Sequence, residues 1–520
     1  MVAWSCVAVA TGLSLALSLY DLGTRSLWLD EGYTWSVASL NTSSLMRDAH
    51  DQGGHLVFYY LVVHAIMSWF GDSPFVMRLP SALAGAAAVP LVFLATCRLA
   101  ADRLAGVFAA FLFAVSMPLV FWQQNARDYA VVVLLAVAST LLLVIAVQTL
   151  SHIALFGWAA VTAVASYTHT ETVLLAVAQL VPMLVWPRGR SLWRPLALLV
   201  GAVAIGAGLP LLTAVNNAAQ QTNFLLPPTG GVAREVATFL ASGAGTPAVV
   251  TAVDYTLLGV TALLWAVALV TFVADTARRG PTDDNFGRAL VLSCLFLPVL
   301  LAWVISEIDR PVFLDRYLIV SLPAAAISVA MVLARVQPRA LGFYGLIYLI
   351  VFRFGVIVPT YDKAFDNFAG ATHLVLANAR TGDCIAFYQN SERVLYDYYA
   401  ARFHGRGSHR PQAPAQVLPP VPAGDKPAMV DYYANLPPTY VATAENATNI
   451  ALTVPYCARL WLFESHVGSP GGPPAQTARF DGLLTLRQRL LAYYSLPTNH
   501  LFADVEVQLF DRLPAPPGSS

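Results

Sequence analysis

The stretch HLVFYYLVVHAIMSWF, residues 55–70, decides how the rest of the chain is read. It is apolar, yet as a helix it extends only about 24 Å, against roughly 30 Å for the hydrocarbon core of a bilayer. His55, His64 and Trp69 also suit a helix at the membrane surface better than one crossing the centre. Around it lie longer apolar runs at 3–20, 75–97, 104–121, 129–149, 152–168, 172–186, 195–215, 254–275, 289–306, 317–335 and 341–359. Runs of this length are membrane spans. Charged residues are only 12% of the chain, about half the soluble share of roughly 25%. The expected class is therefore an α-helical polytopic membrane protein. A formal net charge of 0 gives no reason to expect a nucleic-acid partner.

Charge arbitrates the threading. If 55–70 does not cross and Met1 is cytoplasmic, four basic groups share the cytoplasmic face. They are Arg98 with Arg103; Arg188, Arg190 and Arg194; Arg278, Arg279 and Arg288; and Arg335 with Arg339. That is the positive-inside pattern. If 55–70 crossed, all four would face outward. The pattern predicts eleven spans plus one interfacial helix in a plasma (inner) membrane. It puts 21–74, 122–128, 169–171, 216–253, 307–316 and everything after 360 outside. The stretch Met1–Tyr20 has no basic leader and no clear cleavage site, and reads as a retained first helix.

Two domains are expected: a transmembrane domain over 1–360 and a small extracytoplasmic α/β domain over 361–520. The latter has β-like runs at 384–388, 439–443, 460–463 and 505–510. Residues 406–428 read as a flexible loop and the PAPPGSS end as a disordered tail. Cys6, Cys97 and Cys294 lie in apolar runs, where a thiol behaves as a small hydrophobe. Cys384 and Cys457 are the only pair placed for a disulfide, and paired and unpaired states both stay open.

Five polar clusters fall on the outward side. Trp28-Leu29-Asp30-Glu31 puts two acids just beyond a span; they are either a solvated edge pair or a base beside an orienting group. In Gln123-Gln124-Asn125-Ala126-Arg127-Asp128-Tyr129, Arg127 either pairs with Asp128 or binds a phosphate through its guanidinium fork. Asp315-Arg316-Tyr317 places a cation at the head of a span, where it either snorkels or has a partner. His169 and Glu171 share a very short loop, and Gly53-Gly54-His55 opens the interfacial helix.

The order and spacing of these motifs resemble a known family. WLDEGYTW (28–35), the 55–85 stretch, QNARDYA (124–130), YTHTE (167–171) and DRYLIVSLPA (315–324) are similar to the GT-C glycosyltransferases. The branch is that of bacterial protein mannosyltransferases and the lipid A aminoarabinose transferase, over residues 20–325. The resemblance implies a polyprenyl-phosphate-sugar donor, inverting transfer of mannose or another hexose or pentose, and an extracytoplasmic glycan, glycolipid or protein acceptor. It implies that Asp30 and Glu31 are catalytic, with Asp30 the base. Arg127 and Arg316 would hold the donor phosphate. Asp128, Tyr129, His169, Tyr317 and His55 would line the cavity, although His-Leu-Val stands here where relatives often have His-Pro-Pro.

No nucleotide fingerprint is present, and no cofactor is required. The acid pair could take Mg²⁺ or Mn²⁺, but nothing demands a metal. Two rivals are a lipid-linked sugar flippase, for which no internal repeat is found, and a non-catalytic envelope assembly protein.

Overall fold

The computed structural model describes residues 1–51, 56–204, 208, 212, 225, 227–243, 251–361, 365–403, 413–418, 457–472 and 474–514. The chain divides into two compact units. One is Met1–Gly23 with Ala49–Asp362; the other is Thr24–Asp48 with Lys363–Ser520. The break near 360 matches the composition change. The first outward loop, however, groups with the C-terminal part rather than with the helices expected over 1–360.

The first unit is helical. Seven helices are long and apolar enough to cross a membrane: Val2–Leu19 (α1), Pro74–Ala100 (α5), Tyr129–Thr149 (α8), Ala252–Arg279 (α14), Asp283–Ile308 (α15), the span Arg316–Leu333, and Arg339–Ile357 (α17) with its following turn. In the sixth, one 3₁₀ stretch, Arg316–Ser321, leads into Leu322–Leu333 (α16). An eighth is the pair Arg103–Ala114 (α6) and Met117–Gln123 (α7), bent by 54°. His152–Thr168 (α9), Thr172–Val185 (α10) and Trp193–Ala204 (α12) are apolar but shorter. Length and composition thus license up to eight spans among the described residues. The eleven expected runs all carry apolar helix; α9 and α10 are short of a full crossing, and the run at 195–215 extends past the described residues. Val57–Phe70 (α4) is as short as α10, at 14 residues.

The helix ends follow local chemistry. Ser73 and Ser151 cap α5 and α9 by accepting the amides of Val76 and Ala154. Thr251 and Asp254 form a capping box at the head of α14. At its other end Arg278 and Arg279 complement the helix dipole before Gly280 at φ +72°. The bend between α6 and α7 leaves backbone carbonyls without helical partners. Arg353, buried about one turn from the end of α17, donates to the Leu112 carbonyl there. An interior arginine is costly in a span unless it has such work.

In the second unit five strands form one sheet: Asp383–Phe387 (β1), Ala415–Leu418 (β2), Arg459–Ser465 (β3), Thr498–Phe502 (β4) and Val505–Asp511 (β5). The order is β2-β1-β3-β5-β4; β1 runs parallel to β2 and β3, while β5 is antiparallel to β3 and β4. The central strands β1 and β3 are buried throughout, as strands covered on both faces are. Cys384 and Cys457 are joined in a disulfide beside Leu460, Leu462, Leu486 and Phe510. The expected runs at 384–388, 460–463 and 505–510 are strands; the run at 439–443 lies outside the described residues. Within the expected loop 406–428, residues 415–418 instead form β2. Pro414, just before it, sits where an edge strand tolerates proline. Most of the PAPPGSS tail lies outside the described residues.

Candidate functional site

Within the helical unit, the functional side chains stand where apolar runs break. Residues 124–128 follow α7 and precede α8. Three amides hold this turn. Gln123 Nε2 donates to Ser14 Oγ at 3.0 Å, Gln124 Nε2 to the Tyr20 carbonyl at 2.8 Å, and Asn125 Nδ2 to the Phe121 carbonyl at 2.6 Å. Gly85 makes room, because a Cβ there would overlap the Gln123 side chain. Ser81 donates to the Arg127 carbonyl at 2.8 Å and bonds the Tyr59 hydroxyl of α4 at 2.9 Å, so the short helix is tied to the same turn. The amides of this motif are therefore structural; Arg127 and Asp128 are what the turn presents.

His169 sits between two carboxylates. Its Nδ1 is 3.0 Å from Asp128 Oδ2 and its Nε2 is 3.0 Å from Glu171 Oε2. His169 and Asp128 are both buried. Burial alone would push the imidazole pKa down, but Glu171 and Asp128 outweigh it and the pKa is raised. His169 thus ties two loops together through its contacts with Asp128 and Glu171. Its ring lies 5.2 Å from that of Tyr129 and 5.5 Å from that of Tyr317. The Arg316 guanidinium stands 5.7 Å over the Tyr317 ring. Both Arg127 and Arg316 act electrostatically on Tyr129. Arg127, Asp128, Tyr129, His169, Arg316 and Tyr317 therefore form one cluster from three separate loops. Two cations close to a tyrosine hydroxyl and an imidazolium make a surface suited to a phosphate.

The acid pair belongs to the other unit, and its two members differ. Leu29–Ala38 (α2) begins at Asp30's neighbour, so Asp30 and Glu31 occupy its first turn, where carboxylates favour the helix dipole. Glu31 is fully buried, and its carboxylate accepts the Trp28 amide at 3.4 Å. It closes the helix start. Asp30 is only half-buried.

A third carboxylate joins them, one that no motif spacing signals. Asp366 is buried and accepts the Leu29 amide at 2.9 Å. Burial pushes its carboxyl up to about 6; Asp504 and Asp30 push the same way, while His466 and the Leu29 amide pull it back. His466 Nε2 lies 3.8 Å from Asp366 Oδ1. The motif is further held by Tyr399, whose hydroxyl accepts the Leu27 amide at 2.7 Å, and by Trp28 packed on Phe365 at 4.8 Å. Trp35 meets Tyr398 at 5.1 Å, with Arg402 over Tyr398 at 3.7 Å. Tyr398 and Tyr399 thus support the first loop, and Tyr398 is buried.

His55, with Gly53 and Gly54, lies outside the described residues. Among the described residues, no group of three or more His, Cys, Asp or Glu is arranged to hold a metal ion.

The same architecture occurs in solved structures. ArnT from Cupriavidus metallidurans in the apo state is 16% identical with a TM-score of 0.54, covering 98% of each chain. The same protein bound to undecaprenyl phosphate is 14% identical with a TM-score of 0.53, covering 97% of each. The chain has the GT-C fold. Residues 55–213 also match the family model described as dolichyl-phosphate-mannose-protein mannosyltransferase. An oligosaccharyltransferase from Archaeoglobus fulgidus is a more distant likeness, 11% identical with a TM-score of 0.49, over 97% of this chain and 72% of that one. No curated protein matches significantly.

Proposed function

We propose that this chain is a membrane glycosyltransferase that moves a sugar from a polyprenyl-phosphate donor to an extracytoplasmic acceptor, inverting the anomeric centre. The observation that carries this is the cluster that places Arg316 over the Tyr317 ring, Tyr317 and Tyr129 beside His169, and His169 on Asp128 next to Arg127, in a fold whose whole-length relative ArnT is known bound to undecaprenyl phosphate. In this reading the two arginines take the charge developing on the leaving phosphate, the electrostatic role that often dominates catalysis. The His169 imidazolium, held by Asp128 and Glu171, fixes the loops that carry them.

Asp30 is assigned the base. The acceptor oxygen bonds to the anomeric carbon, the bond from that carbon to the phosphate oxygen breaks, and the phosphate keeps the electron pair. The acceptor's hydroxyl proton passes to Asp30. Glu31 is assigned a different part from the one expected for it, because its carboxylate is engaged at the helix start. The basic loops on one side and the Cys384–Cys457 disulfide in the C-terminal unit support an outward-facing site. Mannose is the donor sugar favoured by the family description matched over 55–213.

The test is turnover in membranes supplied with a polyprenyl-phosphate sugar, comparing wild type with Asp30→Asn. Loss by about 10²–10⁴-fold is the expected outcome for removal of a base. Near-normal turnover removes Asp30 from that role. Activity persisting in an Arg127→Ala, Arg316→Ala double variant removes the phosphate assignment. Addition of EDTA decides metal dependence separately.

A further inference from the structure

A cavity of about 650 Å³ lies between α14, α15 and the end of α16. Arg316 and Arg335 bracket the span Arg316–Leu333, so at helical rise they stand roughly 28 Å apart, near opposite surfaces of a bilayer. The cavity is at the Arg335 end. It is therefore separate from the cluster around Arg316.

Its walls have two characters. Val267, Val291, Leu292, Met331 and Val332 make an apolar trough. Two hydroxyls in the lining do not change that: Thr271 donates to the Val267 carbonyl at 2.7 Å and Ser328 to the Ala325 carbonyl at 2.8 Å. At the mouth stand Arg278, Arg288 and Arg335 with one acid, Asp275. Asp275 is already taken, by Arg288 and, at 3.2 Å, by Arg279. Among the described residues, neither Arg278 nor Arg335 has a carboxylate within ion-pair distance. Burial and the like charge of Arg288 pull the Arg335 guanidinium below its ordinary value, against the weaker opposing pull of Asp102 and Asp275, so three guanidinium groups at the mouth face a single lining acid. Outward of the trough, Val270 and Val273 of α14 are exposed at 65% and 54%, as side chains facing lipid are.

We propose that this groove is a binding site for one anionic phospholipid, with an acyl chain in the trough and the phosphodiester between Arg278, Arg288 and Arg335. The charge pattern selects the class. A zwitterionic lipid would bring its own cation against three guanidinium groups, whereas an anionic headgroup supplies the missing countercharge. Basic pockets between spans bind anionic lipids on the same grounds. Nothing in this inference depends on the transferase reading.

The experiment is native mass spectrometry of the full-length chain, delipidated in neutral detergent and titrated with phosphatidylglycerol or with phosphatidylcholine of the same chains. Wild type is expected to retain one phosphatidylglycerol at least tenfold better than phosphatidylcholine. An Arg278→Ala, Arg335→Ala double variant is expected to lose that preference. Ala268→Trp, which fills the trough without changing charge, is expected to lose the bound lipid altogether. Equal retention of the two lipids by wild type overturns the proposal and needs no variant. So does unchanged retention by either variant, or displacement of phosphatidylglycerol by an equimolar polyprenyl phosphate, which would make the groove a carrier site.

Discussion

Replacing Asp366 by Asn tests the environment of the first-loop acids. The wild-type carboxyl goes from an ordinary 3.8 to about 6 on folding. That is about two units, or about 3 kcal/mol at 1.36 kcal/mol per unit. The folded protein therefore holds this proton more tightly than the unfolded chain. Its stability falls as pH rises between those two values, and levels off above about 7. Between about pH 4.5 and about pH 7.5 the loss from this group is about 2 kcal/mol, because part of it has already occurred at the lower pH. Asn accepts the Leu29 amide through Oδ1 but does not ionise, so the variant lacks this loss.

His466, Asp504 and Asp30 act on Asp366 and are present in both proteins. The informative quantity is thus the difference between the two pH slopes. For a unit of this size the difference is roughly 4–8 °C in melting temperature. Melting followed in detergent at the two pH values reads it. Equal slopes would refute the placement of Asp366 as a buried, raised carboxyl. So would a variant less stable than wild type at about pH 7.5.

Other outcomes follow from single features. Gly85→Ala should destabilise the helical unit by about 1–3 kcal/mol, since the new methyl displaces Gln123 from Ser14; melting of the variant checks it. Loss of the disulfide, by Cys384→Ala with Cys457→Ala, should cost about 4 kcal/mol for a loop of sequence separation 73, read as increased proteolysis of the C-terminal unit. Arg316→Lys should retain charge yet lose the planar fork, lowering turnover at least tenfold with little change in melting. His169→Gln leaves the buried Asp128 and the part-buried Glu171 without their shared imidazole partner. It should destabilise the helical unit by about 3–5 kcal/mol, as removal of one partner from a buried ion pair does.

The span positions were legible because apolar runs of this length have one outcome in water. Whether a short run crosses was not legible from hydropathy: α9 and α10 hold fewer residues than a straight crossing uses. The strands β1, β3 and β5 announced themselves through β-branched and aromatic runs. β2 did not, since four residues between prolines look like a loop until β1 offers a partner. β4, with the sequence TNHLF, is an edge strand with little buried apolar surface, and its signal is correspondingly weak. At the site, Arg127, Asp128, Tyr129, His169, Arg316 and Tyr317 could be picked by type and by their position at span ends. Glu31's engagement with the Trp28 amide could not, because an adjacent acid pair looks symmetrical on paper. Asp366 is a single acid after the last span, and only the fold brings it to Leu29.

The second unit is assembled from two pieces of chain that leave the ribosome far apart in time. Thr24–Asp48 is made early, but Lys363–Ser520 follows about 315 residues later. At usual rates of synthesis that is a wait of roughly 15–60 s. Throughout it the loop bearing Asp30 lacks Tyr399, Asp366 and Phe365, the groups that grip its backbone and its tryptophan. A nascent or truncated chain would already be anchored in the bilayer with its acids unsupported, so competence arrives only with the final segment.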